Sequence, residues 1–429
     1  MSKNPSLSHR SSFIARPYVA IVTCFAVVHV CSAGEFSRGN SVYEDDVAFL
    51  ARHTQVMELT NDQGARVAVC PEFQGRVMTS TCDGPRGLSL GWINREFIVA
   101  GRDDPHFNNY GGEDRFWLAP EGGPFALWFA PGAEQTLENW LTPPAFNTGA
   151  FQQTARPHEP GYRFRRRMQL TNASRTNFDL MVDREVRLLN TDSFATSFGD
   201  IAANVLRGER CKMVGFETRN SVTNRGDDHT RDGGLISIWI LGMFPPGDES
   251  VVIVPYRSGT EVKLGPVVNR DYFGPVPDDR LVITPAAVLF RADGNYRSKI
   301  GFTPSRAKSA VGSIDFARGV LTLVHYSLPK DASQRPYVNN TWSLPQTSPY
   351  RGDALNSYND GPAEPGGKSL GGFYELETLS EAKELNTGDS VTHVHQTFHI
   401  RGTPHQLARL AKEVLGVELE EIHKAMTLQ

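Results

Sequence analysis

The chain has 429 residues, with 39 Gly, 27 Pro, 10% aromatic and 21% charged residues. That length fills one large domain or two ordinary ones, and the composition excludes disorder, coiled coil and collagen. With 44 Lys+Arg against 48 Asp+Glu the net charge is −4, which argues against a basic face that holds nucleic acid.

Residues 1–33 read as an address. Lys3, Arg10 and Arg16 precede an apolar run from Tyr18 to Ala33 that is short for a membrane span. Cys31 and Ala33 are small residues at the −3 and −1 positions of a cleavage site before Gly34. This three-part pattern of a signal peptide predicts a secreted or periplasmic protein; an uncleaved N-terminal anchor is the other reading. Without Lys3, Arg10 and Arg16 the basic residues fall to 41 against 48 acidic ones, a net charge of −7. No membrane span is expected in the mature chain. Cys70, Cys82 and Cys211 then remain, an odd number that argues against a disulfide framework, although Cys70 and Cys82 lie on successive strands and could pair.

In the mature chain, Ser41-Val-Tyr-Glu44 has the spacing of a capping box and predicts a short helix over about 42–52, within an N-terminal arm of residues 34–54. From there the pattern has period two. Strand candidates are 56–60, 65–71, 75–82, 163–172, 178–189, 212–224, 235–244, 250–257, 280–292, 319–328, 371–379 and 389–402. Strands recurring without regular helices between them favour one large antiparallel sandwich, over 55–403, and disfavour a parallel α/β fold. The stretch 101–160 shows no strand pattern and is crowded with Gly, Pro and aromatics. At the end, Thr403-Pro404-His405-Gln406 is a second capping box, and Leu407, Leu410, Ala411, Val414 and Leu415 form one stripe stopped by Gly416. It predicts a helix, then a shorter one at 417–426, in a C-terminal extension of residues 404–429.

Four groups of residues could carry chemistry. In FNNYGGEDRFWLAPEGG (107–123), Tyr110, Phe116 and Trp117 offer flat apolar faces, and Asn109, Glu113, Asp114, Arg115 and Glu121 offer directional hydrogen bonds. Sugars need that mixture, because their C–H faces stack on rings while their hydroxyls pair with carboxylate, amide and guanidinium groups. A packed loop in which Glu113 or Asp114 satisfies Arg115 is the structural alternative. In 339–362, Tyr358, Asn359 and Asp360 crowd a turn. In GGFYELETL, Glu375 and Glu377 share one face of a strand, about 7 Å apart, and could address one ligand, one of them as general base; a solvated polar face is the alternative. In THVHQTFHI, His393, His395 and His399 share a face, a recurrent metal-binding geometry. Phosphate-binding, dinucleotide-binding, serine-hydrolase and zincin motifs are absent.

ELTNDQGARVAVCPEFQGRVMTSTCDG (58–84) is similar to the opening of the aldose 1-epimerase, or galactose mutarotase-like, superfamily, with Gln74-Gly75-Arg76 standing for its Gly-Gly-Arg-like turn. NYGGEDRFWLAPEGG resembles a Gly-Gly-x-x-Arg-x-Trp-x-x-Pro loop of bacterial secreted members; SIWILGMFPPG, YNDGP and FYELET add to the likeness, which spans roughly 55–402. The resemblance implies a mostly β fold, an antiparallel β-supersandwich with short N- and C-terminal helices, and a carbohydrate ligand on its concave sheet. It implies a glutamate base, matched by Glu377 in Leu376-Glu377-Thr378, and a histidine acid. The Asn-His-x-x-Phe-Asn segment that carries that histidine has no counterpart, which leaves the role open to His393 or His395. The readings that follow are a sugar epimerase-type enzyme, a non-catalytic glycan-recognition protein, and a metal-dependent site on His393, His395 and His399. No other cofactor is expected, and no oligomeric state is specified.

Overall fold

Asn177–Leu189 alternates along its length, with Phe178, Leu180, Val182, Arg184 and Val186 buried and their neighbours partly open. Such period-two runs are what a sheet with one face on a core requires. The computed structural model describes residues 40–155, 160–362 and 366–427. Residues 1–33, read as a signal peptide, and the first residues of the arm lie outside the described residues.

Three strands form a small sheet: β1 (Met57–Thr60), β2 (Arg66–Cys70) and β3 (Arg76–Thr81). The chain continues through β4 (Arg115–Ala119), β5 (Gln152–Thr154), β6 (Tyr162–Thr171), β7 (Asn177–Leu189) and β8 (Lys212–Asn224). Next come β9 (Ser237–Phe244), β10 (Ser250–Pro255), β11 (Leu281–Ile283), β12 (Ala287–Arg291) and β13 (Ser298–Phe302). The last are β14 (Ala310–Asp315), β15 (Val320–Tyr326), β16 (Leu355–Asn359), β17 (Tyr374–Leu379) and β18 (Ser390–Arg401). They build a ten-stranded sheet, ordered β11-β12-β10-β14-β15-β18-β8-β7-β6-β5, and a five-stranded sheet, ordered β13-β16-β17-β9-β4. Every pairing in both is antiparallel. The fold is the mostly β, antiparallel sandwich that the alternation predicts.

One core joins the inner faces of the two large sheets, with Phe164, Val182, Phe216 and Val324 from one meeting Phe116, Ile238, Ile240 and Leu376 from the other. A second core covers the opposite face of the ten-stranded sheet. There Leu289, Leu321, Leu323, Phe398 and Ile400 meet helical residues such as Phe194, Leu206, Leu407 and Leu410. The arrangement is helices, large sheet, small sheet, which leaves the outer face of the five-stranded sheet to be covered by loops.

The helices in chain order are α1 (Tyr43–Leu50), α2 (Arg95–Ala100), α3 (Pro144–Asn147), α4 (Thr191–Phe198), α5 (Asp200–Gly208), α6 (Glu261–Leu264), α7 (Pro404–Leu415) and α8 (Leu419–Thr427). The capping box at Thr403 and Gln406 forms, and Gly416 at φ 72° ends α7. The one expected at Ser41 does not: Val42 is the N-cap and bridges Leu88, so no side chain caps α1. Strands β4, β13, β14 and β16 and helices α4 and α5 arise where no period-two or helical signal was read. β4 and β16 are buried on both faces, so their runs RFWLA and LNSYN do not alternate in burial. Cys70, Cys82 and Cys211 are all free.

The core between the sheets also holds charge. Arg184 donates to Asp114 Oδ1 at 2.5 Å, both side chains being fully buried, and to Asn220 Oδ1 at 2.7 Å. Thr218 Oγ1 donates to Asp114 Oδ2 at 2.7 Å. Removing one partner of such a pair leaves the other charge buried and uncompensated, at a cost of about 3–5 kcal/mol. Asp114→Asn, which keeps the volume, is expected to lose that much in urea unfolding; a loss below about 1 kcal/mol would show that the pair is dispensable.

Candidate active site

On β17, Tyr374 and Thr378 point to the ten-stranded sheet: Tyr374 shares a hydrogen bond with Ser313 Oγ at 2.8 Å, and Thr378 Oγ1 meets two histidines of β18. Alternation then sends Glu375 and Glu377 out through the opposite face, from the central strand of the five-stranded sheet.

The two edge strands bring the counter-charges. From β13, Lys299 reaches across β16 and donates to Glu377 Oε2 at 2.9 Å. The same oxygen accepts from Trp239 Nε1 at 3.0 Å. From β4, Arg115 reaches across β9 and donates through Nη2 to Glu375 Oε1 at 2.9 Å. None of these four charged side chains exceeds 8% exposure. Rings complete the solvation of both cations: Lys299 Nζ lies 4.8 Å from the Trp239 centroid, and the Arg115 guanidinium lies 3.9 Å from Trp117 and 4.6 Å from Phe107.

Loops add two more carboxyl groups. Asp353 accepts from Asn269 Nδ2 at 2.7 Å and from the Tyr272 hydroxyl. It lies so close to β13 that a Cβ at Gly301 would come within 2.0 Å of its Oδ2, so only glycine fits there. Glu121 accepts from Trp140 Nε1 at 2.8 Å, and its own N–H donates to Asn340 Oδ1 at 2.9 Å. Trp140 stacks with Trp342 at 6.3 Å, and both rings are half-buried.

Burial governs the protonation of this face. It pushes Glu375 up to about 7 against the pull of Arg115, and Asp353 up to about 6 against its bonds from Tyr272 and Asn269. Burial raises Glu121 as well. For Lys299 burial acts downward, but Glu377 and then Glu121 outweigh it and the ammonium is held above its ordinary value. Among the polar atoms that stay buried without a partner are Glu377 Oε1, Asn109 Oδ1 and Arg115 Nε. Orphaned buried groups cost stability, and a polar ligand is one way to satisfy them.

Residues 41–426 match the family described as DUF6786, a family of unknown function. The chain belongs to this family. No curated protein matches the chain. Among solved structures it is similar to an Escherichia coli K12 protein assigned as an aldose 1-epimerase, at 12% identity and a TM-score of 0.46, covering 81% of this chain and 99% of that one. The Slr1438 protein of Synechocystis sp. PCC 6803 gives 13%, 0.44, 81% and 96% on the same measures. A Salmonella typhimurium protein assigned as a mutarotase gives 11%, 0.43, 82% and 92%.

In this family member the outer face brings together Glu375, Glu377, Arg115, Trp117 and Tyr358. Asn109, on the loop before β4, donates to Leu370 O at 2.9 Å. Arg115 does not pair with Glu113 or Asp114, because both of those turn inward. Glu113 accepts from Ser80 at 2.8 Å and faces His399 Nε2 at 3.0 Å. Tyr110 stacks on Phe73 at 4.0 Å in a separate apolar cluster. Asn359 Oδ1 accepts from the Gly294 N–H, and Asn359 Nδ2 donates to Tyr296 O. Asp360 accepts from the Tyr358 hydroxyl at 3.0 Å and from the N–H groups of Gly371 and Gly372, so its carboxylate holds a loop.

His393, His395 and His399 share a face of β18, as the sequence predicts, but that face is the buried inner one. His393 bonds Ser327 and Thr378, His395 bonds Thr378, and His399 bonds Thr322 and Glu113. The backbone of β17 therefore stands between Glu377 and both His393 and His395, and a Glu377–histidine acid–base pair does not form. Nor do the three histidines fit a metal: among the described residues no group of three His, Cys, Asp or Glu converges as ligands. Lys299, Trp239, Tyr272 and Asp353 were not read as site residues. For Lys299 the available signal was a lone charge inside the apolar run SKIGF.

Burial lowers His393 to about 3 and His395 to about 4, so both are neutral in the folded protein near pH 7. Their folded values lie below the unfolded value near 6.5, so the stability they contribute is complete above that pH and is lost as the pH falls towards 4. Urea midpoints measured from pH 7 to 4 are expected to fall, and His393→Gln is expected to flatten that acid limb. An unchanged slope in the variant would contradict the assignment.

Proposed function

We propose that the outer face of the five-stranded sheet binds a sugar and exchanges its anomers, with Glu377 as general base and Glu375 as general acid. The supporting observation is Glu377 itself. Lys299 and the Trp239 N–H occupy one oxygen of a fully buried carboxylate and leave the other, Oε1, without a partner. A carboxylate fixed in this way is oriented before the substrate arrives.

In the forward step, Glu377 Oε1 takes the proton of the anomeric hydroxyl. The electron pair released closes the C1=O bond, the bond from C1 to the ring oxygen breaks, and that oxygen takes the proton of Glu375. The open aldehyde rotates about the bond from C1 to C2, and the reverse transfers close the ring on either face. Glu375 suits the acid role because burial holds it near 7, where a carboxyl group still carries a proton at neutral pH. Arg115 positions Glu375, and the half-buried rings of Phe107, Trp140 and Trp342 supply apolar surface for sugar C–H faces. The signal pattern of residues 1–33 supports action outside the cytoplasm, with a mature N-terminus at Gly34.

Glycan recognition without catalysis is the second reading, favoured by the ion pairs that engage both carboxyl groups. Anomer exchange followed by NMR on a panel of aldoses separates the two. Glu377→Gln is expected to lower the exchange rate by about 10²–10⁴-fold. Because Glu375 acts in its protonated form, the wild-type rate is expected to fall as the pH rises through about 7. Exchange no faster than buffer across the panel would leave recognition as the function.

A further inference from the structure

The cations of the outer face are matched to carboxylates with one exception. Lys299 answers Glu377 and Arg115 answers Glu375. Arg297 answers none: among the described residues no acceptor meets its guanidinium, and its Nε is buried without a partner. It precedes Lys299 by two residues, so period two places it on the same face, about 7 Å further along the strand direction.

Its surroundings hold it in place. The guanidinium lies 4.1 Å over the ring of Phe273, a residue 46% exposed, and Phe273 meets Tyr358 edge-on at 6.0 Å. Tyr358 stands opposite Lys299 on one side and Glu375 on the other in the strand registers. Arg297 is therefore a half-buried, permanently charged fork stacked on an aromatic, beside the proposed catalytic carboxyl groups and without an internal anion. Stacking covers one face of the guanidinium and leaves its in-plane N–H groups for a ligand. Their geometry matches an oxyanion, and a charge-assisted pair is stronger than a bond to a hydroxyl. The charge of that oxyanion is limited, since the carboxyl groups of Glu377 and Asp360 lie around the same face beside Glu375 and repel a dianion.

We propose that Arg297 reads a singly charged acid group, a uronate carboxylate or a sulfate ester, on the sugar bound at Glu375 and Glu377 or on the unit next to it. This rests on the reading of the outer face as a carbohydrate site and names the class of sugar that it takes.

The test compares glucuronate, galacturonate, galactose 6-sulfate, glucose 6-phosphate, glucose and galactose, by calorimetric binding and by anomer exchange, with wild type, Arg297→Met and Arg297→Lys. Wild type is expected to bind a uronate or the sulfate ester roughly tenfold or more tighter than its neutral parent and than the phosphate. The uronate and sulfate arms tell the two sources apart. Arg297→Met is expected to remove that preference through KM with kcat unchanged and to leave neutral sugars unaffected, and Arg297→Lys to restore part of it. Equal affinity of wild type for acidic and neutral sugars, survival of the preference in Arg297→Met, or tightest binding of the phosphate would overturn the proposal. Exchange of neutral sugars without an acid preference overturns it while the proposed function stands. Arg297-dependent binding without exchange upholds it while catalysis falls; binding of no sugar overturns both.

Discussion

The ion pair of Lys299 and Glu377 is the constraint around which the outer face is organised. Each charge loses several kcal/mol of hydration when buried, and neither is tolerable there without the other. The pair spans from an edge strand to the central strand, so it requires β13, β16 and β17 to be in register before its energy is recovered. Arg115 and Glu375 impose the same condition from the other edge, across β9. Two carboxyl groups from one strand are thus clamped by cations from both sides. That fixes the sheet and leaves Glu377 with one oxygen engaged and one buried without a partner.

The remainder of the fold serves to bury this face from behind. The ten-stranded sheet supplies a polar seam of its own, with Arg184 on Asp114 and the histidines of β18 on Ser327, Thr378, Thr322 and Glu113. Most of their polar atoms are paired with one another, with Glu113 Oε1 and His395 Nε2 left unpartnered, and this largely buried network suits them to specifying how the two sheets meet. Polar residues of the two kinds differ in what they leave open. Within the seam most hydrogen-bonding capacity is consumed, whereas the outer face keeps the free oxygen of Glu377 and the free guanidinium of Arg297.

Much of the candidate site was legible as residue types and little of it as relationships. FNNYGGEDRFWLAPEGG and FYELET hold Arg115, Trp117, Glu375 and Glu377, and their chemistry could be read from the letters. That Glu375 and Glu377 share a face followed from period two. The partner of Arg115 could not be read, because it lies 260 residues later. Lys299, Tyr272 and Asp353 were invisible for the same reason: each acquires its role from a contact between segments distant in the chain. His393, His395 and His399 show the limit most sharply. Their alternation was correct, yet alternation states only that side chains share a face and not which layer that face meets.

The sequence by itself determined the class of fold, the C-terminal helix with its capping box, and the parity of the strands that alternate, since those depend on local sterics, capping and the two-residue repeat. Only the tertiary structure decided which parity faces the core and which faces the loops. The physical reason is that burial belongs to layers and not to strands. A histidine and a glutamate on strands consecutive in the chain become catalytic partners or strangers according to whether a backbone runs between them. In this protein it does, and the counter-charges of Glu375 and Glu377 are an arginine and a lysine drawn from the two edges of the sheet.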